Sequence, residues 1–199
     1  ITLAKKFADG GAKDGAGLKA FIDKNKGEYT FAQTFPTGTH AMWLYYWMAA
    51  NGINPMKDAK VITVPPPQMV ANMRVGNMDG YCVGEPWNAQ LVTQKVGYTA
   101  LVTGELWKDH PEKCLALRAD WVTKNPKAAK AITMAVLEAQ QWCDKPENKD
   151  EMCTIISQDK WLKVPVADII GRSKGQIDYG TGRVEPASIL AMKFWADNA

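Results

Sequence analysis

Residues 29–52, YTFAQTFPTGTHAMWLYYWMAANG, constrain the fold more than any other stretch of the chain. The aromatic and β-branched residues at the start of this segment predict a strand, and the PTG turn that follows predicts where the strand ends. Thr39 is the predicted N-cap of a helix, because good helix formers follow it as far as the stop signal Asn51-Gly52. The segment therefore predicts a strand, a polar turn and a helix in direct succession.

The start of this predicted helix is a candidate anion site. The first amides of a helix lack intrahelical partners and lie at the positive end of the helix dipole, so they attract small anions. His40 stands in the first turn beside these amides, and its imidazole can donate a hydrogen bond to an oxyanion. The alternative is that Thr39 is an ordinary cap and His40 an ordinary first-turn residue, and the segment alone leaves both interpretations open.

Composition excludes several classes of protein. The chain has 199 residues, of which 46% are hydrophobic and 23% charged, so it is able to bury a substantial core and is not a disordered tail. Its net charge of +3 comes from 24 basic and 21 acidic residues spread along the chain. Nucleic-acid binding needs a clustered basic stripe, which this sequence lacks. No apolar run approaches the roughly 18 residues that a membrane span requires.

The cysteines do not indicate a metal site. The chain has four cysteines and two histidines, and no two cysteines form a CxxC pair, so we predict no zinc and no other metal. Cys143 and Cys153 could pair if two helices form a hairpin there, but their spacing does not establish a disulfide. Free, buried thiols are the default prediction.

Taken in order, the N-terminal half alternates helix and strand patterns. This alternation predicts an α/β fold with a mainly parallel sheet and helices on both faces. The C-terminal half adds two short strands and then several helices. The predicted strands are 29–35, 61–64, 78–83, 98–102 and 114–118, and the predicted helices are 18–26, 40–50, 68–75, 88–96, 127–144, 149–158, 166–174 and 187–196.

The GEPW segment that follows residue 84 predicts a boundary between two lobes. Residues 1–84 would form a complete or nearly complete α/β lobe, and residues 85–199 would return, helix-rich, into a partial second lobe. Ligands of open α/β sheets bind outside the carboxyl ends of the strands, and pockets favour domain interfaces. A basic residue of the second half could then close on an anion held at His40. The candidates are Lys108, Lys113 and Arg118.

Three long motifs carry a resemblance to a known family. TFPTGTHAMWLYYW, VPPPQMVANMRVGNMDGYCVGEPW and LWKDHPEKCLALRADWVTKNPKAAKA together resemble the substrate-binding proteins of bacterial ABC-type nitrate importers. Close relatives of that family bind bicarbonate, and more distant ones bind sulfonates. The resemblance implies a periplasmic-binding-protein fold of type II, in which two lobes of mixed sheet, covered by helices, close about a hinge.

The resemblance also implies a ligand site. Family members hold nitrate between the lobes with the histidine of the GTH turn, a backbone amide beside it and a lysine of the facing lobe. In this chain those positions are His40, Ala41 and Lys113, with Gly38 and Thr39 completing the turn. Bicarbonate-binding relatives have an acidic residue in place of the lysine and hold a cation with the anion, so Lys113 favours nitrate.

Family members extend before Ile1 and after Ala199, so we expect this chain to be a fragment. The resemblance implies nitrate as ligand, an ABC permease as partner and no cofactor. It implies a location in the periplasm or at the outer face of the plasma membrane, with membrane association only through the permease or an upstream lipid anchor.

One alternative is a cytoplasmic nitrate sensor of the same fold. Another is an enzyme using His40, Cys82, Asp79 or Glu85, but no catalytic motif supports it.

Overall fold

The structure is a computed structural model that describes residues 1–185 and 192–194. Strands and helices alternate in its first half, and helices dominate the second half. Within the described residues the strands are β1 (Thr2–Ala4), β2 (Thr30–Gln33), β3 (Lys60–Thr63), β4 (Gly80–Tyr81), β5 (Gly97–Thr99), β6 (Ile177–Asp178) and β7 (Val184–Glu185). The helices are α1 (Lys5–Asp9), α2 (Gly15–Lys24), α3 (Thr39–Ala50), α4 (Pro66–Arg74), α5 (Trp87–Thr93), α6 (Ala119–Lys124), α7 (Pro126–Asp144), α8 (Lys149–Ser157) and α9 (Val166–Ser173).

A mixed sheet with the strand order β3-β2-β4-β1-β5 organises the first half. β2 pairs in parallel with both β3 and β4, as the alternating helix and strand patterns predict. β1 runs antiparallel to both of its neighbours, β4 and β5. The residue pattern did not predict this reversed strand, because a short apolar run carries no information about its direction. β6 and β7 form a separate antiparallel pair.

Helices cover both faces of the sheet because successive side chains of a strand point to opposite sides. On β2, Phe31 points into the core formed with α1, α2 and α3, whereas Ala32 points into the core formed with α4 and α5. Both residues are fully buried. The first core also contains Leu18, Trp43, Leu44, Trp47 and Met48, and the second contains Met69, Val70, Met73, Tyr81 and Leu91.

A third, smaller core lies among the C-terminal helices. It is formed by Met152 and Cys153 of α8 together with Val164 and Ile169. Arg172 of α9 joins this part to the sheet, since its buried guanidinium donates to the Thr99 hydroxyl at 2.8 Å. None of the helices within the described ranges is long and apolar enough to cross a membrane.

Several local predictions need correction. Residues 114–118 are irregular and do not form the predicted strand. The helices α1 and α6 were not predicted, and both have fewer than seven residues, so the apolar periodicity that reveals a helix has little length in which to develop. The predicted helix at 187–196 falls largely outside the described residues. All four cysteines are free, but only Cys82 and Cys153 are buried, whereas Cys143 is partly exposed and Cys114 is exposed.

The division of the chain at residue 84 stays a prediction. The structure shows that β5, which follows this point, pairs with β1 in the same sheet as β2, β3 and β4. Helix α5 packs against β5 and contacts α4. Strand β5 therefore belongs to the sheet that the earlier strands build.

Candidate functional site

His40 lies at the edge of the sheet where two parallel strands end. Helix α3 begins a few residues after the end of β2, and the loop after β4 passes close by. A side chain built on Gly84 would place its Cβ 3.8 Å from His40 Nε2. Since β2 and β4 run parallel, their carboxyl ends meet at this edge, which is where open α/β sheets bind ligands.

Two hydrogen-bonding groups flank the His40 imidazole, whose side chain is 17% exposed. Nδ1 lies 3.1 Å from the Thr34 hydroxyl, and Nε2 lies 3.8 Å from a carboxylate oxygen of Glu112. The separation from Glu112 is longer than a hydrogen bond, but a carboxylate there still attracts an N–H proton, so the geometry favours the tautomer with its proton on Nε2 and with Thr34 donating to Nδ1. Burial lowers the pKa of His40, and the nearby Lys113 lowers it further against the opposing effect of Glu112.

The start of α3 differs by one residue from the prediction. Gly38, and not Thr39, is the N-cap, with extended backbone angles of φ −85° and ψ 161°. Its carbonyl accepts the amides of Ala41 at 3.1 Å and Met42 at 3.3 Å. The Ala41 amide, predicted as a ligand group, is therefore already bonded. The amides of Thr39 and His40 occupy the first two helical positions, which have no intrahelical acceptor, and these amides are available to an anion.

Glu112 is a candidate site residue that the sequence analysis did not name. Its Oε1 accepts a hydrogen bond of 2.9 Å from the Thr39 hydroxyl, and its Oε2 pairs with the ammonium of Lys113. The side chain is 31% exposed. Burial acts to raise the pKa of Glu112, but the hydrogen bonds from Lys113 and Thr39 outweigh it and hold the pKa below its ordinary value. Glu112 is therefore an ionised carboxylate at the start of α3.

Of the three predicted basic candidates, Lys113 is the one that the structure brings to this carboxylate. Its side chain is 77% exposed and reaches the oxygen of Glu112 that faces away from Thr39. The carboxylate of Glu112 thus bonds to Thr39 through one oxygen and to Lys113 through the other. Arg118 instead forms two hydrogen bonds of 3.0 Å with Asp120, and Lys108 is exposed.

Aromatic contacts hold the loop that carries Glu112 and Lys113 against α3. The Trp107 ring lies 4.7 Å from the rings of both Trp43 and Tyr46, measured between centroids. The His110 ring lies 4.4 Å from Trp43, and its Nε2 lies 2.9 Å from the Thr103 hydroxyl. Residues 103–113 therefore lie across one side of α3, and this placement brings Glu112 to the first turn of the helix.

Two of the residues considered for catalysis are paired with other groups. Asp79 accepts the Thr30 amide at 2.8 Å, and Glu85 forms an ion pair of 3.3 Å with Arg172. Cys82 is buried, and burial raises the pKa of its thiol. No group of three or more histidine, cysteine or acidic side chains within 1–185 and 192–194 is arranged to hold a metal ion.

A family model described as NMT1-like family matches residues 1–157. The chain belongs to the NMT1-like family. This assignment and the relatives below confirm the resemblance that the three sequence motifs carry.

Two of the proteins that this chain resembles are named for small anions. The nitrate/nitrite binding protein of Nostoc sp. is 59% identical over 206 aligned positions, which include 100% of this chain and 46% of that protein. The bicarbonate-binding protein of Synechococcus sp. is 44% identical over 153 positions, covering 77% of this chain and 34% of that protein. This chain therefore spans less than half the length of either relative.

A solved structure confirms the fold. The crystal structure of the periplasmic nitrate-binding protein of Synechocystis matches this chain with a TM-score of 0.93 and 54% identity. The match covers 100% of this chain and 52% of that one. The mixed sheet with helices on both faces is thus the α/β fold of a periplasmic binding protein.

Proposed function

We propose that this chain is part of the substrate-binding component of an ABC importer, which captures nitrate and nitrite and delivers them to a membrane permease. The observation that carries the proposal is the meeting of His40, the first amides of α3 and the Lys113 loop, in a chain closely related to nitrate/nitrite binding proteins. The groups at this site are hydrogen-bond donors and a cation, and no catalytic sequence motif accompanies them, so the proposed role is capture without catalysis.

The chemistry of the site suits a small monoanion. The Nε2–H of His40, the Thr39 hydroxyl and the amides of Thr39 and His40 all donate hydrogen bonds toward one region. The positive end of the α3 dipole and the ammonium of Lys113 add favourable charge. Nitrate is planar and carries a single charge over three acceptor oxygens, so several donors at once are able to bind it without a metal.

The proposal includes a compartment and partners. The protein would act in the periplasm or at the outer face of the plasma membrane, and would meet the membrane through the permease or an upstream lipid anchor. A nitrate sensor of the same fold would share this ligand but act in the cytoplasm. A hydrophobic leader or a lipid-modified cysteine encoded upstream of Ile1 distinguishes the importer component from the sensor.

Bicarbonate is the second candidate ligand, and Glu112 is the observation that favours it. An acidic side chain beside an anion site is able to hold a cation together with the anion, whereas it repels the anion when no cation is present. In this chain Lys113 already neutralises Glu112. That ion pair favours nitrate, because a cation would have to displace the ammonium first.

The test is calorimetric titration of nitrate, nitrite and bicarbonate into the full chain encoded by its gene, with and without calcium. We expect nitrate to bind without calcium. His40→Ala removes one hydrogen bond to a charged ligand, a loss of about 1.5 to 3 kcal/mol or roughly tenfold to a hundredfold in affinity. Lys113→Glu should weaken binding more, because it removes the favourable charge and leaves two carboxylates at the site.

Lys108→Glu is the matched control for Lys113→Glu. It makes the same change of charge in the same loop, at an exposed position, and should leave nitrate affinity nearly unchanged. Binding of bicarbonate with calcium, and no heat with nitrate, would overturn the proposal. If the Lys113→Glu variant binds nitrate normally without calcium, then Lys113 does not contribute to the anion site.

A further inference from the structure

A carboxylate of the protein itself lies among the groups that the proposed function assigns to the anion. Glu112 Oε1 accepts from the Thr39 hydroxyl at 2.9 Å and lies 3.8 Å from His40 Nε2, and Oε2 pairs with Lys113. These are three of the groups expected to bind nitrate. The carboxylate also lies at the first turn of α3, where negative charge is stabilised by the helix dipole.

Glu112 is held in this position by its loop as well as by its own hydrogen bonds. Trp107 and His110 of the same loop contact Trp43 on the side of α3. The loop therefore keeps the carboxylate at a high local concentration beside His40, which a free anion has to match. The exposed Lys113 side chain pairs with Glu112 Oε2, the oxygen that is not bonded to Thr39. When Glu112 leaves the start of α3, the Lys113 side chain is able either to follow the carboxylate or to stay beside His40.

We infer that Glu112 is a built-in competing anion, which fills the oxyanion position in the unliganded protein and which nitrate must displace to reach Thr39, His40 and Lys113. This inference rests on the proposed function, since it concerns the same site. It assigns Glu112 a role in setting affinity and selectivity, with no direct bond to the bound nitrate.

Competition by a carboxylate also discriminates between ligands by charge. Exchanging one monoanion for another leaves the charge at the start of α3 unchanged, whereas a dianion adds a second negative charge close to the displaced Glu112. Coulomb repulsion scales with the charge of the ligand, so Glu112 disfavours sulfate more than it disfavours nitrate. Selection of monoanions follows without any change in the shape of the site.

Glu112→Gln tests this inference because the amide keeps an acceptor for the Thr39 hydroxyl and removes the negative charge. Nitrate and sulfate are titrated into the full chain with wild-type and variant sequences, and thermal unfolding checks that each variant folds. We expect the variant to bind nitrate about tenfold more tightly, which corresponds to about 1.4 kcal/mol. Sulfate binding should strengthen by a larger factor than nitrate binding. Glu112→Ala provides a second variant with the same expected direction.

Glu138→Gln on α7 is the control, because it makes the same change of net charge at an exposed position of another helix. It should leave both affinities unchanged. Equal or weaker nitrate binding by both Glu112 variants, when wild type binds nitrate, overturns the inference and leaves the proposed function intact. A calcium requirement in wild type that Glu112→Gln abolishes would make Glu112 a cation ligand and also overturn it. If neither wild type nor a Glu112 variant binds nitrate, nitrite or bicarbonate, both proposals fail.

Discussion

At the scale of single residues, the site depends on the protonation of His40. Burial holds the pKa of His40 below its ordinary value, so the imidazole is neutral at neutral pH and, protonated on Nε2, is able to donate a hydrogen bond to an anion. An anion bound beside the ring favours the charged form and raises this pKa. When nitrate replaces Glu112, one anion near the ring takes the place of another. A negative charge therefore stays beside His40 in both states.

The lowered pKa predicts how stability depends on pH. Because the folded-state pKa of His40 is depressed below the unfolded value, the unfolded chain binds more protons at this group in the interval between the two pKa values. The contribution of neutral His40 is therefore fully present above the unfolded pKa, and it declines as pH falls from there through the folded pKa. Urea unfolding from pH 8 to pH 5 measures it, with His40→Gln as the variant that lacks the group.

Subtracting the pH profile of His40→Gln from that of wild type isolates the contribution of His40. The chain has two histidines, so the His40 ring signal in NMR is assigned by its disappearance in the same variant. A titration midpoint at or above the ordinary histidine pKa in the unliganded protein would contradict the prediction.

At the scale of elements, the loop 103–113 and helix α3 act as one unit through their aromatic contacts. Trp107→Ala removes the two ring contacts to Trp43 and Tyr46, each contributing about 0.5 to 1.5 kcal/mol. The loop should then detach more often, and trypsin should cut after Lys108 or Lys113 roughly tenfold faster. Limited proteolysis followed by mass spectrometry identifies the cut.

Trp161→Ala is the control for this experiment. Trp161 is likewise exposed, and the Lys160 ammonium lies over its ring, 5.6 Å from the ring centroid. Its removal should leave cutting at the loop unchanged. Equal cutting of Trp107→Ala and wild type would show that the hydrogen bonds of Glu112 and His110 hold the loop without the tryptophan.

At the scale of the whole molecule, Arg172 connects the C-terminal helices to the sheet. Its guanidinium is 4% exposed, forms an ion pair of 3.3 Å with Glu85 and donates to Thr99. Arg172→Met leaves the carboxylate of Glu85 without its cation in a largely buried place. We expect a loss of about 3 kcal/mol in the free energy of unfolding, measured with urea.

Two further variants separate the ion pair from simple packing. In the double variant Arg172→Met/Glu85→Gln no unpaired charge remains. Its loss in the free energy of unfolding should therefore be about 1 to 2 kcal/mol smaller than the summed losses of the single variants Arg172→Met and Glu85→Gln. Lys174→Met, on the same helical segment, breaks an exposed pair with Asp150 and should cost less than about 1 kcal/mol. Additive losses at Arg172 and Glu85 would mean that the pair contributes no coupling.

The sequence by itself determined the alternation of helices and strands around β2, β3 and β4 and the position of His40 at the start of a helix. These features depend on local patterns: the aromatic and β-branched residues in and around β2, the turn at Gly38, and the helix formers of α3. The long helix α7 was predicted within one residue of its observed start, because Pro126 suits the first turn of a helix. Motif resemblance added the family and the mixed sheet.

Only the tertiary structure placed Glu112 beside His40. In an extended segment, neighbouring side chains point in opposite directions, so the pair Glu112-Lys113 gave no sign that both would reach the same site. The contact joins Thr39 to a residue 73 positions later, and it forms because Trp107 and His110 pack on α3. The reversed direction of β1 has the same origin. Both features depend on contacts between segments that are far apart in the sequence, and local residue patterns contain no information about such long-range contacts.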